Sequence, residues 1–583
     1  MPTVLDKHRP IGRIGGWLGS QHHSGREEIL ARMQNALGYR GQILTDAAYE
    51  KISAAPRLVV DFDCCWLAGR PLATPQAWQA VLGEALQPDQ ELARIEGAYA
   101  LAWLNQKGEY ILARDALGER SLFYAEVADS LIFSSSVEAL LATRLIPKNL
   151  NLAAAVRFLA YAYVPGRMTL IEGIREVLPG EVIVWSSGTK RHLKHWVIPA
   201  ETPTPDNEGF DQAKARLRHE LERAVRQRLP EGEAVGATLS GGIDSSLVVA
   251  LAQKFHNSPI HTFSVTFGSG YANELPFSDM VASHCGTNHH IVEISPQVIS
   301  DNLDHTIRLM NVPNGDPLTV PNAILFREAS AFTQVLLNGE GGDPCFGGPK
   351  NLPMLLADLL GDAFNDGDEL YRREKSYLRA HLKCYDDLDL LLNPAILRQV
   401  THNAPLEHEL KEHFDDPRYS SFVQRLSALN VTLKGGHHIL PKVDSISAGY
   451  GMLPRSPLFD RGIVEFAFSI PAKMKLMGSV EKYLLKEAVR DLLPAAIIDR
   501  PKSGMLVPVE AWFSPASRQR KAGPLLPLAL DRLLESRILA DIVQRPYLEK
   551  LLTGKLGGLR PRHGVKIWLL VTLESWLRSH LGD

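Results

Sequence analysis

The sequence predicts a two-domain α/β protein, and three observations support this fold class. The first 200 residues contain short apolar runs separated by turn residues, which is typical of an antiparallel β-sandwich. From about residue 210 onward, strand-like runs alternate with helical segments, as in a doubly wound parallel α/β sheet. A polar, proline-rich stretch at residues 199–207 lies between the two patterns, as domain boundaries usually do. We therefore predict domains at residues 1–200 and 210–583.

In the first domain, the helix predicted over residues 26–37 carries Ile29, Met33 and Leu37 at helical spacing. A strand at residues 11–17 precedes it, and further strands are predicted at residues 58–62, 98–103, 110–113 and 131–133. In the second domain, a helix at residues 211–228 comes first. Strands follow just before Ser240 and at residues 261–267, 291–294 and 334–337, with helices between them. Beyond about residue 350 the Leu- and Ala-rich sequence predicts a helical extension.

Length and composition narrow the class of protein. A chain of 583 residues is too long for one core, and 45% hydrophobic residues is an ordinary globular value. A formal net charge of −3 gives no electrostatic reason to expect nucleic acid or an anionic membrane as a partner. No apolar run reaches the length of a membrane span, and the polar start lacks the core of a signal peptide. The cysteines form neither a CxxC pair nor a zinc pattern, which predicts reduced thiols in a cytoplasmic protein; they are Cys64, Cys65, Cys285, Cys345 and Cys384.

A loop of small residues, Ser240-Gly241-Gly242-Ile243-Asp244-Ser245-Ser246, lies between a short apolar run and an apolar helix. Two glycines permit a sharp turn close to a ligand, and the free N–H groups of the helix start make an anion site. Asp244 would repel a phosphate unless a divalent cation, usually Mg²⁺, lay between the two. The alternative is an ordinary capped turn. The loop resembles the pyrophosphate loop of the ATP pyrophosphatases, which implies cleavage of ATP between its α and β phosphates and adenylation of a substrate.

Further motifs resemble the class B asparagine synthetases, in the order found in that family and over nearly the whole chain. In the first half they are residues 95–97, 113–118, 133–140, 163–166, 171–174 and 178–180. In the second half they are residues 240–246, 338–343, 346–348, 442–444, 455–460, 481–486 and 500–502. The resemblance implies an N-terminal glutaminase-like β-sandwich of the αββα, Ntn type. It implies a C-terminal ATP-pyrophosphatase domain with a helical extension that forms amides through an acyl-adenylate.

The resemblance also implies the residues of an ATP and Mg²⁺ site. The ATP-binding set is Leu239, Ser240, Gly241, Gly242, Asp244, Ser245, Ser246, Val265, Gly339 and Gly341. Asp244 and Asp343 should follow neighbouring strand ends, where ligands bind in open α/β sheets, and hold Mg²⁺ against the triphosphate. Fixed positive charge lowers the barrier as charge grows on the leaving pyrophosphate. The implied catalytic set is therefore Asp244, Asp343, Lys482, Lys502 and Glu340. Taken alone, Asp343 could instead cap a turn and each lysine could be a surface charge.

The first domain departs from the family where the glutaminase needs its chemistry. Glutamine-dependent members begin with a cysteine whose thiol attacks the glutamine amide, whereas this sequence begins Met1-Pro2 and Gly12 aligns with that cysteine. The family's Asn-Gly oxyanion pair aligns with Asp61-Phe62, and an anionic side chain cannot stabilise an oxyanion. Arg40-Gly41 of the substrate loop is kept, and Cys64 and Cys65 lie in mid-strand. We predict an inactive glutaminase domain, so that the nitrogen comes from ammonia or from an amine on the substrate.

Two more departures concern the acyl acceptor. A glutamate that handles the aspartyl intermediate and ammonia in asparagine synthetases is replaced by Leu453. The Tyr–Glu dyad of the related β-lactam synthetases aligns with Glu340 and Ser445, which disfavours β-lactam closure. The remaining branch is the lasso-peptide cyclases, in which the N-terminal amine of a leader-cleaved precursor peptide attacks its own adenylated Asp or Glu side chain. A tethered amine has a high effective concentration and needs no ammonia channel.

This resemblance implies a precursor peptide as substrate, with a leader peptidase and a leader-binding protein as possible partners. Several alternatives stay open at this point. The chain could be an ammonia-dependent asparagine synthetase or another small-molecule amide synthetase, or a catalytically silent scaffold that binds a nucleotide or a partner. A sulfur-transfer or tRNA-modifying pyrophosphatase is disfavoured because the chain has no basic patch and no paired catalytic cysteines.

Overall fold

The computed structural model of the chain describes residues 13–18, 26–38, 42–45, 58–83, 85, 87–186, 189–201, 209–348, 370–500, 507–516, 521–556 and 562–582. Contacts divide the chain into two compact units. The first comprises Met1–Asn149 and Gly166–Val197, and the second comprises Leu150–Pro165 and Ile198–Asp583.

The first unit is built on two sheets. Its strands are β1 (Ile14–Leu18), β2 (Gln42–Thr45), β3 (Leu58–Leu67), β4 (Arg70–Pro71), β5 (Ile95–Leu104), β6 (Tyr110–Arg114), β7 (Phe123–Val127), β8 (Ser130–Ser134), β9 (Ile174–Glu176), β10 (Glu181–Ser186) and β11 (Thr189–Lys194). One sheet has the order β2-β1-β8-β7-β9 and the other has the order β11-β10-β6-β5-β3-β4. The predicted antiparallel arrangement is confirmed for every described pair in these sheets except the edge pair β1–β2, which is parallel.

Apolar side chains form two cores in this unit. One core fills the space between the two sheets, and the other covers the outer face of the second sheet. Ala100 and Ala102 of β5 point toward the other sheet, whereas Leu101 and Trp103 belong to a core that includes Trp78, because neighbouring strand residues face opposite sides. The helices of this unit are α1 (Arg26–Leu37), α2 (Pro75–Leu82), α3 (Pro88–Leu92) and α4 (Val137–Ala142). The helix predicted over residues 26–37 is thus present at those bounds.

The second unit contains a five-stranded parallel sheet. Its strands are β12 (Val235–Thr238), β13 (Ile260–Thr266), β14 (Asn288–Glu293), β15 (Val335–Leu337) and β16 (Leu453–Arg455), in the order β14-β13-β12-β15-β16. All four described pairings in this sheet are parallel, as predicted. A two-stranded hairpin, β17 (Leu476–Met477) with β18 (Val480–Glu481), lies outside this sheet.

Helices make up most of the remaining second unit, and the helical extension beyond residue 350 is present in its described part. Before β16 they are α5 (Leu152–Tyr161), α6 (Phe210–Gln227), α7 (Ile243–Phe255), α8 (Leu275–Cys285), α9 (Pro296–Leu309), α10 (Thr319–Ala329), α11 (Gly342–Phe346), α12 (Arg372–Ala380), α13 (Leu388–Leu391), α14 (Pro394–Asn403), α15 (His408–Phe414), α16 (Phe422–Leu429) and α17 (Leu440–Gly449). After β16 they are α18 (Arg461–Ser469), α19 (Ala472–Lys475), α20 (Tyr483–Ala488), α21 (Ala495–Ile498), α22 (Val509–Trp512), α23 (Leu526–Glu535), α24 (Arg537–Ile542), α25 (Arg545–Leu552) and α26 (His563–Leu581). A π-helix (Asn430–Ile439) joins α16 to α17, and 3₁₀ turns occur at Tyr385–Asp387 and Pro457–Phe459.

The strand order creates a switch point between β12 and β15. The chain passes from β12 to β13 and β14 on one side of the sheet and then crosses to β15 on the other side. Gly236 and Ala237 of β12 pair with Leu336 and Leu337 of β15, so the loops that follow these two strands start side by side. Ligands of open α/β sheets bind at such a switch point, beyond the carboxyl ends of the strands.

Leu150–Pro165 groups with the second unit, whereas the sequence placed these residues in the first domain. Helix α5 packs on the helical region: the Tyr161 hydroxyl donates to the Leu406 carbonyl, and the Cys384 amide donates to the Leu159 carbonyl. Contacts between residues more than 200 positions apart in sequence leave no local signal, which is why the sequence did not predict that α5 belongs to the second unit.

In the described part of the chain, no helix combines the length and apolarity that a bilayer span requires.

A buried aspartate organises the turn after β6 in the first unit. Asp115 Oδ1 accepts the amides of Leu117, Gly118 and Glu119 at 2.7–3.1 Å, and Oδ2 accepts the amide of Arg120 at 2.9 Å. The Asp115 side chain is almost fully buried, and that burial raises its pKa although the amides oppose the shift. One carboxylate therefore satisfies four backbone donors that water cannot reach easily.

Asp115→Ala should destabilise the first unit by about 3 kcal/mol, because buried amides lose a charged acceptor. Hydrogen–deuterium exchange across β6 and β7 would measure this as faster exchange. Asp129→Ala is the matched control, since Asp129 is exposed in the β7–β8 turn and its loss should change stability by less than about 0.5 kcal/mol. Equal exchange in both variants would contradict the structural role of Asp115.

Candidate active site

The loop between β12 and α7, residues 239–242, is held by a small network of serine hydroxyls. The Ser240 amide donates to Ser245 Oγ at 3.1 Å, and the Gly242 amide donates to Ser240 Oγ at 3.3 Å. Ser245 Oγ also donates to the Gly242 carbonyl at 3.2 Å. Gly241 has a positive φ of 71°, and a Cβ there would approach Phe277 Cβ to 2.6 Å. Glycine is therefore required at this point of the loop, and the first turn of α7 presents its N-terminus here.

The segment after β15, Asn338–Gly342, lies directly against this helix start. A Cβ on Gly339 would come within 2.5 Å of the Ser245 amide nitrogen, and a Cβ on Gly342 would come within 2.2 Å of Asp244 Oδ1. Gly341 has a positive φ of 112°. These glycines allow a contact between the two loops that no larger residue could make. The two predicted loops are thus brought together at the switch point of the sheet.

Lys482 joins the two loops electrostatically. Its Nζ lies 2.5 Å from Asp244 Oδ2 and 2.5 Å from Asp343 Oδ1, and its side chain is only 2% exposed. The residue itself adopts a left-handed backbone conformation, with φ of 54°, immediately after the β17–β18 hairpin. A buried ammonium is tolerable here because two carboxylates share it. Three of the predicted catalytic residues therefore form one cluster.

The donor set of this cluster is suitable for Mg²⁺. Two 2.5 Å contacts to one nitrogen keep the Asp244 and Asp343 oxygens within 5.0 Å of each other. The described residues contain no group of three or more His, Cys, Asp or Glu side chains that could enclose a metal. Mg²⁺ commonly binds to one or two carboxylates and completes its shell with phosphate oxygens and water. Asp244 and Asp343 are thus able to hold Mg²⁺ when a triphosphate is present.

Three other residues predicted to bind ATP are buried. Leu239 is buried, its amide donates to the Phe263 carbonyl at 2.8 Å, and its carbonyl accepts Ser264 Oγ at 2.5 Å. Both of its backbone groups therefore hold the loop to β13. Ser246 is fully buried beneath the loop, and Val265 is nearly buried within β13. Leu239 and Ser246 thus shape the loop from inside.

Glu340 lies in the middle of the Asn338–Gly342 segment that follows β15. It is half-buried, and its amide donates to Asn338 Oδ1 at 3.0 Å. Its negative charge contributes to raising the pKa of Lys442, a buried lysine of α17 that the sequence did not assign to the site. Glu340 therefore belongs to a second charged group beside the loop, apart from the lysine held by Asp244 and Asp343.

Lys502 lies outside the described residues, so its predicted role stays a prediction. Arg500, two residues before Lys502, contacts the loop of residues 239–242. Its Nη1 donates to the Gly241 carbonyl at 3.1 Å, its Nη2 lies 2.5 Å from Glu274 Oε1, and its guanidinium lies 3.9 Å from the centre of the Phe277 ring. These contacts hold the turn at Gly241 against Arg500. Arg500 belonged to a recognised motif, but only the fold shows this contact.

Two known protein families match parts of this sequence. Residues 216–578, more than half of the chain, match the asparagine synthase family. Residues 84–196 match the glutamine amidotransferase domain family.

The chain belongs to the asparagine synthase family.

Its curated relatives carry names that agree with this assignment. A glutamine-hydrolyzing asparagine synthetase of Bacillus subtilis is 24% identical over 451 residues, covering 73% of this chain and 70% of the relative. A putative glutamine-hydrolyzing asparagine synthetase of Mycobacterium tuberculosis is 28% identical over 517 residues, covering 83% and 77%. Among solved structures, an NH3-dependent NAD synthetase of Campylobacter jejuni is 13% identical, with coverage of 35% of this chain and 96% of that one and a TM-score of 0.19.

Membership in the asparagine synthase family confirms the predicted enzyme class. The chain is an ATP-dependent carbon–nitrogen ligase, as its family match and its named relatives indicate. Its charged cluster lies at the strand ends of the domain that matches the synthase family. Most of the match to the amidotransferase family lies in the first unit.

Three described residues of β3, Asp61, Cys64 and Cys65, bear on the predicted loss of glutaminase activity. Asp61 lies 3.6 Å from Arg120. Cys65 is buried, which raises the pKa of its thiol well above the usual value, and the Asp63 charge raises it further. Cys64 occupies an irregular part of β3 with a positive φ of 50°. Gly12, Arg40 and Gly41 lie outside the described residues.

Gly342→Ala should weaken the binding of a non-hydrolysable Mg·ATP analogue by about tenfold or more, because the new methyl group must displace the Asp244 carboxylate. Isothermal titration calorimetry would measure the dissociation constant. Gly270→Ala is the matched control, since a Cβ there meets nothing within 4 Å. Wild-type affinity in Gly342→Ala, with an intact circular dichroism spectrum, would show that Asp244 is not at the nucleotide site.

Proposed function

We propose that this enzyme adenylates a side-chain carboxylate of a leader-cleaved precursor peptide and closes a macrolactam with the N-terminal amine of the same peptide. The observation that carries the adenylation step is the cluster in which Lys482 contacts both Asp244 and Asp343 at 2.5 Å. The departures in the first unit and at Leu453 support an amine supplied by the substrate. The products of this reaction are AMP, pyrophosphate and the cyclised peptide.

In the first step, a carboxylate oxygen of the substrate attacks the α-phosphorus of ATP, and the bond to the β-phosphate breaks. The N-terminus of α7, with the loop held by Ser240 and Ser245, suits the phosphates of ATP. The Lys482 ammonium lies where it can neutralise negative charge as pyrophosphate leaves. Mg²⁺ bound by Asp244 and Asp343 would supply further positive charge to the triphosphate.

In the second step, the amine nitrogen attacks the acyl carbon, and the carbon–oxygen bond to AMP breaks. The attacking amine must lose a proton, and Glu340 is the carboxylate of the second loop that we assign to receive it. Ser445, which aligns with the glutamate of the β-lactam dyad, is buried and accepts a long contact from Asn311 at 3.5 Å. A serine held in this way cannot replace a carboxylate as a base.

Two sites that differ from the family pattern support an amine that the substrate itself supplies. In the first unit, Asp61 would repel an oxyanion, and burial favours the neutral thiol of Cys65, so neither of these two described residues suits glutamine hydrolysis. In the second unit, Leu453 is buried in β16, and its amide donates to the Gln334 carbonyl. An apolar side chain at this place cannot interact with ammonia as the family's glutamate does. An amine tethered to the acyl group would remove the need for either site.

A peptide substrate of this kind implies further proteins. A leader peptidase must expose the attacking amine before cyclisation, and a leader-binding protein could deliver the precursor to it. The second candidate function is ammonia-dependent asparagine synthesis, which is favoured by relatives named as asparagine synthetases at 24–28% identity. Both functions use the same adenylation cluster and differ only in the acyl and amine substrates.

Pyrophosphate release from Mg·ATP should occur with a leader-cleaved precursor peptide encoded near the gene, and not with aspartate plus ammonium chloride. Mass spectrometry should then show a product lighter than the peptide by one water molecule. Asp244→Asn should lose pyrophosphate release while keeping its fold, because it removes a charge rather than a core group. Asparagine formed from aspartate and ammonium would overturn the macrolactam proposal and favour the second candidate.

Glutamine should not serve as the nitrogen source, and glutamate release from it should stay at the level of a no-enzyme blank. A coupled glutamate dehydrogenase assay would measure this, with the Cys64→Ser and Cys65→Ser variants as controls for an unexpected thiol. Steady glutamate release that either substitution abolishes would show that the first unit still hydrolyses glutamine.

A further inference from the structure

A distant arginine contacts the loop of residues 239–242 with three parts of its side chain. The Arg500 side chain is 10% exposed, and its Nη1 donates to the Gly241 carbonyl at 3.1 Å. Its Nη2 donates to Glu274 Oε1 at 2.5 Å, and the face of the guanidinium lies 3.9 Å from the centre of the Phe277 ring. A planar guanidinium can make all three contacts at once, whereas the ammonium of a lysine cannot.

The other two partners of Arg500 belong to the start of α8. Glu274 lies just before α8, and its carbonyl accepts the amides of Phe277 and Ser278 at 3.0 and 3.1 Å. A Cβ at Gly241 would come within 2.6 Å of Phe277 Cβ and within 2.7 Å of the Ser278 amide nitrogen. The start of α8 is therefore packed against the loop, and Arg500 joins the two.

The carbonyl oxygens of the loop are the groups that would repel a phosphate, and three of them have hydrogen-bond donors as partners. The Leu239 carbonyl accepts a serine hydroxyl of β13 at 2.5 Å. The Gly242 carbonyl accepts a backbone amide of α7 at 3.0 Å. The donor to the Gly241 carbonyl is Arg500, which lies 259 residues further along the chain. The direction of this carbonyl thus depends on a side chain from a distant segment.

The peptide between Gly241 and Gly242 is held at both of its polar ends. Its carbonyl oxygen accepts Arg500, and its N–H, which belongs to Gly242, donates to Ser240 Oγ at 3.3 Å. A peptide unit is planar, so these two contacts together fix the direction of its dipole. The glycines on both sides have no Cβ to oppose rotation of this peptide. Its orientation therefore depends on the side chains that bind it.

We infer that Arg500 is a positioning residue that keeps the Gly241 carbonyl oxygen turned away from the triphosphate of ATP. This inference rests on the proposed adenylation step, because it takes the loop as the phosphate site. Arg500 itself does not bind phosphate in this assignment, since the Glu274 carboxylate offsets its charge and would repel an anion beside it. Lys482 then acts on the leaving pyrophosphate, and Arg500 prepares the loop before ATP binds.

A nucleotide-free NMR experiment tests whether Arg500 holds this peptide. Glycine labelled with ¹³C at the carbonyl and ¹⁵N at the amide gives carbonyl-to-amide correlations only from Gly-Gly peptides, of which the sequence has six. Gly242→Ala identifies the relevant signal by removing it, and a Cβ there meets Ser240 Oγ at an ordinary 3.4 Å. The ¹³C signal of this peptide should move in Arg500→Met, because its carbonyl loses a charged donor. An unmoved signal would overturn the inference.

Arg490→Met is the matched control for the loss of an arginine. Arg490 pairs with Glu487 at 2.6 Å and with Asp499 at 3.0 Å, and both partners lie outside the loop of residues 239–242. The Gly-Gly signal should stay in place in this variant. A shift as large as that in Arg500→Met would show that the signal reports loss of any nearby charge, and would contradict the assignment.

Nucleotide binding tests the consequence for the site. Arg500→Met should weaken the binding of a non-hydrolysable Mg·ATP analogue about tenfold or more, as expected when a charged hydrogen bond that orders the site is lost. Arg500→Lys keeps the charge but cannot hold the carbonyl and the carboxylate together, so its affinity should stay within about threefold of Arg500→Met. Wild-type affinity in Arg500→Lys would show that charge alone acts on the phosphates, which would contradict the positioning role.

Glu274→Gln separates positioning of the loop from direct contact with phosphate, and it keeps the shape of the side chain. If Arg500 positions the loop, loss of its charged partner should weaken binding of the analogue, by less than Arg500→Met does. Combining the two substitutions should then give about the affinity of Arg500→Met alone, because both act on one contact. If Arg500 bound the phosphates directly, removal of the competing carboxylate would leave binding unchanged or strengthen it, and either result would overturn the inference.

These measurements use neither a peptide nor ammonia, so they do not depend on which acyl and amine substrates the enzyme takes. Absence of Mg·ATP binding in the wild type would overturn the proposed adenylation step. An unmoved Gly-Gly signal in Arg500→Met would overturn the role of Arg500, so the two failures are distinguishable.

Discussion

The close approach of the Asn338–Gly342 segment to the first turn of α7 is the constraint on which the site depends. A side chain at Gly339 or Gly342 would overlap the backbone of Ser245 or the carboxylate of Asp244. With glycine at both places, Asp244 and Asp343 come near enough for Lys482 to contact both. The topology of the sheet sets up this contact, because β12 and β15 are neighbours although 96 residues separate Thr238 from Val335 along the chain.

Buried ion pairs fix the positions of two lysines in the second unit. Lys482 and Lys442 are each almost fully buried, and each is held by at least one carboxylate, since an isolated buried ammonium would be costly. Such pairing fixes the positions of the charges more firmly than surface contacts could. Fixed charges act on developing charge without a cost of reorganisation.

The fold of the first unit rests on packing and backbone hydrogen bonds rather than on reactive side chains. Its two sheets and the Asp115 turn depend on apolar burial and backbone hydrogen bonds, and none of these needs a nucleophile. The acidic Asp61 and the buried thiol of Cys65 are compatible with that fold.

The sequence by itself predicted many of the strands and helices and the glycine-rich loop after β12. Through the family resemblance it also predicted Asp244, Asp343, Glu340 and Lys482 as candidate site residues. These features depend on local periodicity and short motifs, which are visible along the chain. Only the tertiary structure decided that α5 belongs to the second unit and that Arg500 contacts Gly241. It alone paired Lys442 with Asp316, which is 126 residues away. Such contacts form between distant segments, and charge or apolarity at one position does not specify its partner in space.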